Sequence, residues 1–343
     1  MGTAKEGFLL NMYKWLENVK SQTHKKALPI LSFPGIQHMD GITVRELVNS
    51  STLQAQCMKK VADLTDSAAS VSFMDLSVEA EAFGADTLFF DDEVPAIQGA
   101  LVSTEEEADA LSVPEVGAER TGLFIEAVRQ AAELITDRPV FAGAIGPFSL
   151  AGRLVDVSEA MIYCYTEPDM LHTLLEKCTR FIIAYIREFK KAGANGVVLA
   201  EPLAGVISPA QEKEYSAPYV KQIVEAVQDE SFIVIYHNCG NYAYLMTDSI
   251  RENGCLAFHF GDSVDMEQIL VKMGPEHPVM GNISPSGEFR NGTPETMRAA
   301  VTDLMTRCSK YPNFVPSSGC DLPPVCSWDN INAFFEAVNQ FYN

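Results

Sequence analysis

The residues best placed to do chemistry lie in Phe232–Tyr242, FIVIYHNCGNY. Phe232 to Tyr236 are all β-branched or aromatic, which reads as a buried strand. The run then gives way to His237-Asn238-Cys239-Gly240. In extended chain, side chains at i and i+2 share a face. His237 and Cys239 therefore aim at one point beyond the strand, while Tyr236 and Asn238 point the other way and pack. An imidazole beside a thiolate is the nitrogen–sulfur mixture that zinc prefers. The pair alone is not a site, because a buried Cys commonly serves as a small hydrophobe.

A third donor appears late in the chain. Phe314–Pro316 reads as a strand that runs into Ser317-Ser318-Gly319-Cys320-Asp321-Leu322-Pro323-Pro324. Cys320 sits in a loop shaped by Gly and Pro just past that strand. If the strands form a parallel barrel, their carboxyl ends share one rim. His237, Cys239 and Cys320 then form three legs of a tetrahedron. Three protein ligands with one open position is the catalytic zinc pattern, whereas structural zinc is closed by four. Cys57, Cys164, Cys178 and Cys308 fall on predicted helices, and Cys255 precedes a strand. Cys326 is the nearest competitor, and Pro323-Pro324 should turn it from the rim. The eight cysteines show no tight framework, so disulfides are not expected.

Two carboxylates end strands. Glu201 follows the strand before the central one. It is read as a fourth metal ligand, as a base, or as a cap on the next helix. Asp75 ends an early strand, and with His259 it is placed to orient substrate, His259 also fitting a packed role. Asp91-Asp92-Glu93 reads as a solvated loop, the usual fate of a charge run.

These residues need a scaffold that delivers strand ends to one place. Strands are predicted at 27–33, Ala69–Phe73, Thr87–Phe90, Pro139–Ile145, Val197–Ala200, Phe232–Tyr236, Leu256–Phe260, Val279–Gly281 and Phe314–Pro316. Helices are predicted near 44–49, 53–64, 104–110, 116–134, 158–164, 168–191, 209–227, 242–252, 266–273, 294–307 and 330–341. Alternation of strand and helix from about residue 139 onward marks a parallel sheet wound with helices. The fold expected is α/β, a single (β/α)8 TIM-type barrel over residues 1–343, with a doubly wound open sheet as the other candidate. No Gly-x-Gly-x-x-Gly follows a strand, which removes support for a dinucleotide fold. Residues 1–26 read as an N-terminal helical extension, with Phe8, Leu9, Met12, Trp15 and Leu16 at helical spacing.

The chain has 343 residues, 47% of them hydrophobic, enough for a large core. Its formal charge of −21 repels nucleic acid and anionic membrane. No apolar run is long enough to span a bilayer, and the N-terminus lacks a signal-peptide pattern. A cytoplasmic location is expected.

His-x-Cys at a strand end with a late Ser-Gly-Cys resembles the cobamide-dependent methyltransferases of the uroporphyrinogen decarboxylase superfamily. The likeness extends to Phe33-Pro34-Gly35, Val78-Glu79-Ala80-Glu81-Ala82-Phe83-Gly84, Gly143-Ala144-Ile145-Gly146-Pro147-Phe148, Gly281-Asn282-Ile283-Ser284-Pro285 and Gly292-Thr293-Pro294-Glu295. It implies the (β/α)8 barrel reached above. It also implies transfer of a methyl group between a methylated corrinoid and a thiol such as coenzyme M, with Zn2+ activating the thiol. The methylcobamide would be a co-substrate presented by a partner corrinoid protein, because none of the six histidines lies in an Asp-x-His-x-x-Gly context. The alternative is the other half-reaction, from a methyl donor to cobalt. Decarboxylation is the weaker expectation: decarboxylases carry an N-terminal Arg-Gln-Ala-Gly-Arg whose arginines pair with substrate carboxylates. Residues 33–39 here, FPGIQHM, have no arginine, although Asp75 matches the decarboxylases' carboxylate.

Overall fold

The β-branched runs become the staves of one parallel sheet. The computed structural model describes residues 10–342. Its strands in chain order are β1 (Ser70–Val71), β2 (Asp86–Leu88), β3 (Ala96–Gln98), β4 (Val140–Ile145), β5 (Gly196–Ala200), β6 (Ile233–Asn238), β7 (Ala257–Phe260), β8 (Val279–Ile283) and β9 (Phe314–Ser318). Seven of them pair in the order β1-β4-β5-β6-β7-β8-β9, every pair parallel. β4, β5, β6, β7 and β9 are buried at every position. Burial on both faces is the reason these strands read as continuous apolar runs rather than alternating ones.

The expected strand at 27–33 does not join the ladder. Residues 27–32 are buried chain lying between β9 and β1, and they close the sheet into a barrel-like α/β fold through scattered bonds. Leu28 N donates to Pro316 O at 2.9 Å, Ala68 N to Ala27 O at 2.8 Å, and the Ser32 hydroxyl to Val71 O. Pro29 lies within this stretch and Pro34 just beyond it, and proline cannot donate to a ladder. The expected strand at 87–90 also falls outside the sheet. It forms an antiparallel hairpin, β2 with β3.

Two apolar regions hold the molecule together. One lies between the sheet and its outer helices and includes Phe141's neighbours Val140 and Ala142 with Leu174, Phe181 and Phe189. The other fills the barrel interior with Val71, Phe141, Val198, Ile235, Ala257, Met280 and Val315. The N-terminal helix Met12–Ser21 adds Met12, Leu16 and Val19 to that interior. Met12 N bonds Glu230 O at 2.7 Å, just ahead of β6, and Lys20 Nζ bonds Glu276 O at 2.9 Å, ahead of β8. The helix thus plugs the amino end of the barrel and leaves the carboxyl end free. Phe8 and Leu9 lie outside the described residues.

Two predicted helices are shorter than their apolar pattern. Residues 116–120 are turns, with Gly117 and Glu119 at positive φ, and the helix begins at Thr121. The helix expected over 209–227 divides at Ser216 into Pro209–Tyr215 and Ala217–Val227. Pro218 supplies no N–H to continue the first piece.

Glu212, in the first piece, is buried and accepts a hydrogen bond from the Ser249 hydroxyl. Burial raises its pKa from 4.5 to about 7, with the charge of Glu201 acting in the same sense. The folded protein therefore keeps a proton there that the unfolded chain releases. This contribution to stability is present below the unfolded pKa and is lost as pH rises through about 7. In urea unfolding at pH 5 and pH 8, Glu212→Gln should remove part of the wild-type decline in stability toward pH 8. An unchanged difference between the two pH values would show that Glu212 is ionised throughout.

Candidate metal centre

The three donors predicted to converge do so at the carboxyl rim. Cys320 Sγ lies 3.4 Å from His237 Nε2 and 3.9 Å from Cys239 Sγ. The donor atoms of all three residues lie within 4.8 Å of one another. Tetrahedral zinc with its usual bond lengths requires about 3.6 Å between nitrogen and sulfur and about 3.8 Å between sulfurs. The donor set and its spacing therefore fit a zinc ion. The thiols are free, and their separation is well beyond the disulfide bond of about 2.05 Å. The Cys320 thiol donates to Cys239 and lowers the Cys239 pKa to about 4, against the cost of burial and with help from His237. Cys320 itself is pushed well up by the same interaction and by burial.

Close backbone packing sets this geometry. β6 runs through His237 to Asn238, further than its apolar run suggests, so His237 is part of the ladder beside Ala200 and His259. Cys239 follows directly. The Asn238 side chain turns away, accepts from Gly240 N at 2.9 Å and donates to the Tyr236 hydroxyl at 3.1 Å. The loop after β7 then wedges between the two cysteine loops. A Cβ on Gly261 would meet Cys239 Cα at 2.6 Å, and one on Gly319 would meet Asp262 N at 2.7 Å. On the other side, Gly240 and Gly205 approach so closely that a Cβ on Gly240 would lie 2.4 Å from the Gly205 backbone. The loop carrying Cys320 is tied from behind. Gln37 Nε2 donates to Pro324 O at 2.6 Å and Cys326 O at 2.7 Å, and Trp328 Nε1 to Pro34 O at 2.8 Å.

His237 is backed by a buried polar chain. Its Nδ1 lies 2.7 Å from His259 Nδ1, and His259 Nε2 lies 2.8 Å from the Ser317 hydroxyl. Burial lowers the His259 pKa well below 6.5, and the charge of His237 adds to this.

The other candidates lie elsewhere. Glu201 is fully buried and is not among the gathered donors. Its carboxylate accepts from Ser149 N at 2.8 Å, Phe148 N at 3.2 Å and the Ser216 hydroxyl at 2.8 Å. It therefore caps the helix Pro147–Val155, which precedes it in sequence, rather than the helix that follows. Burial raises its pKa and these donors oppose the shift. Asp75 is buried in a pair with Arg120, which also binds Glu81 at 2.6 Å and the Ser77 hydroxyl at 2.8 Å. Arg120 had no signal in the sequence, because its partners lie far along the chain. The Cys326 thiol points at Pro285 O, 3.8 Å away. Asp91 pairs with Arg45 at the surface, as a solvated loop would.

A parallel α/β barrel with donor side chains on its carboxyl rim has the architecture of a barrel enzyme. Residues 35–341 match the family described as Uroporphyrinogen decarboxylase (URO-D), and the chain belongs to that family. It is 27% identical over 286 residues to a uroporphyrinogen decarboxylase of Coxiella burnetii, covering 80% of this chain and 77% of that one. A uroporphyrinogen decarboxylase of Christiangramia forsetii is 26% identical over 247 residues, 70% of each chain. Among solved structures, a methyltransferase from Methanosarcina mazei matches with a TM-score of 0.85 and 19% identity over 97% of this chain and 100% of that one. A B12-independent methionine synthase from Shewanella sp. W3-18-1 matches with a TM-score of 0.60 and 12% identity, covering 84% of this chain and 86% of that one. At such identities these structures establish the fold. Among the described residues no helix is long and apolar enough to cross a membrane.

The expectation of methyl transfer between a corrinoid and a thiol is corrected here. The curated relatives that match most of the chain are decarboxylases. The ligand trio is three residues, and a local donor set does not specify which bond is made or broken around it.

The glycine wedge yields a test. Gly261→Ala should leave the fold intact by circular dichroism. It should weaken binding of added zinc at least about tenfold, the scale of lost support around a metal, because the new methyl group displaces Cys239. Titration against a chromophoric chelator measures this, and unchanged affinity would show that Cys239 is not held by that contact.

Proposed function

We propose that this member of the family is a metal-dependent enzyme in which His237, Cys239 and Cys320 would hold a zinc ion and leave its fourth position to the substrate. The observation that supports this reading is the near-tetrahedral spacing of the three donor atoms. Glu201 is committed to Phe148, Ser149 and Ser216. A fourth carboxylate ligand is thus lacking at the place where the sequence offered one. A zinc ion held by two thiolates and a neutral imidazole would carry no net charge and would favour the anionic, nucleophilic form of a substrate atom in the fourth position.

The surrounding residues have definite tasks in this reading. His237 and the two cysteines bind and orient. The Asp75–Arg120–Glu81 cluster, two carboxylates sharing one guanidinium, stands just past the carboxyl end of β1. Glu201 holds the amino end of the helix Pro147–Val155 in place.

A second reading, decarboxylation, is favoured by the names of the curated relatives. It calls for cations facing substrate carboxylates. Arg153, partly buried on the helix Pro147–Val155, makes no hydrogen bond or ion pair among the described residues and feels the charge of Asp75. It is the residue such a substrate would use.

One experiment separates the two. Protein purified from zinc-supplemented cells should hold one zinc per chain, and Cys239→Ser and Cys320→Ser should each lose it. In the zinc absorption spectrum, added 2-mercaptoethanol should raise the sulfur ligands from two to three. Failure to gain a third sulfur, together with release of carbon dioxide from uroporphyrinogen by both wild type and Cys239→Ser, would establish decarboxylation instead.

A further inference from the structure

The chain of polar contacts behind His237 has a direction, and that direction can be read from its fixed end. The Leu28 carbonyl oxygen can only accept a hydrogen bond. The Ser317 hydroxyl lies 2.7 Å from it and has a single proton to donate. With that proton spent on Leu28, Ser317 Oγ must accept from its other neighbour, His259 Nε2, at 2.8 Å. His259 therefore carries its proton on Nε2. The ring is fully buried among apolar strands, and its two nitrogens face an imidazole and a hydroxyl rather than a carboxylate, so no anion is at hand to hold a second proton on it. A neutral imidazole has one N–H, so His259 Nδ1 is a bare acceptor. It faces His237 Nδ1 at 2.7 Å, and His237 must donate across that gap. The proton of His237 is thereby fixed on Nδ1. Its Nε2 is left as a lone pair, 3.4 Å from Cys320 Sγ.

We propose that His259 and Ser317 are positioning residues that lock His237 in the tautomer whose Nε2 is free to ligate. This rests on the metal-centre reading given above. Ligating histidines commonly donate their second nitrogen to a carboxylate or a backbone carbonyl. Here the acceptor is a neutral imidazole, which in turn donates to the Ser317 hydroxyl and lies against the Ser318 backbone. Nothing in that relay adds negative charge, so a centre of zinc, two thiolates and imidazole stays uncharged. The strands supply the alignment: His237 stands beside His259 across β6 and β7, and Ser317 lies in β9, hydrogen-bonded back to the Leu28 segment that closes the barrel. The opposite direction of the relay would set the Leu28 and Ser317 oxygens against each other at 2.7 Å with no proton between them.

The test uses the full chain labelled with 15N-histidine. Long-range proton–nitrogen correlation spectra of the zinc-free protein should show His237 as the Nδ1–H tautomer and His259 as the Nε2–H tautomer. Ser317→Ala removes the acceptor that orients His259. In that variant His237 should populate both tautomers, and the zinc dissociation constant, from chelator competition, should rise about 10–100-fold. Ser317→Thr retains the hydroxyl and should restore the single tautomer and most of the affinity. The inference is overturned by a His237 Nε2–H tautomer in the zinc-free wild type, or by wild-type tautomer and affinity in Ser317→Ala. A wild-type protein that takes up no zinc yet shows the expected tautomers would refute the metal-centre reading while leaving the relay in place.

Discussion

Backbone-to-backbone contact at the barrel rim is the constraint on which the site depends. Four loops, after β5, β6, β7 and β9, must pass at distances that exclude a Cβ at Gly240, Gly261 and Gly319. With those contacts, Cys239 and Cys320 stand 3.9 Å apart across the intervening loop. Without them, donors far apart in sequence would have no reason to meet at bonding distance. Parallel strands bring their carboxyl ends to one rim, but that alone places residues only to within a loop's reach. The glycines supply the remaining precision, and the plugged amino end of the barrel keeps the interior rigid beneath them.

Electrostatics at the mouth are governed by commitment of charge. An acidic chain of net charge −21 buries Asp75, Glu79, Glu201 and Glu212. Asp75 is neutralised by Arg120. Glu201 is held by two backbone N–H groups and a hydroxyl, and these offset part of its burial cost. Glu79 accepts from Ile145 N at 3.0 Å, and burial still raises its pKa to about 7. The thiols and imidazole at the rim have one another, the relay behind His237 and nearby backbone N–H groups as partners.

Residues 33–38 brace the rim from behind. Where the decarboxylase resemblance leads one to expect arginines, Phe33 and Ile36 pack into the core and Gln37 holds the carbonyls of Pro324 and Cys326. His38 sits edge-on to Trp328, 4.5 Å between ring centres. The segment thus braces the loop that carries Cys320. Bracing a donor loop and binding substrate carboxylates are alternative uses of the same place in the fold.

The sequence by itself determined the staves and the donor types. Runs such as IVIY and GVVLA are buried on both faces, so their composition alone marks them as parallel strands. The i, i+2 spacing of His237 and Cys239 is a local property of extended chain and needs no fold to be legible. What needed the tertiary structure was every relation across distant segments. The closing stretch 27–32 has strand-like composition yet lies outside the ladder, because its backbone bonds are scattered and the Ser317 and Ser318 hydroxyls stand where backbone partners would continue it. The role of Glu201 depended on where the N–H groups of Phe148 and Ser149 lie, and Asp75 was paired by an arginine with no local signature. The proton on His237 was decided by Leu28, at the far end of a relay through three strands. Local pattern carries backbone and side-chain orientation. Partner choice depends on distance in space, which sequence separation does not encode.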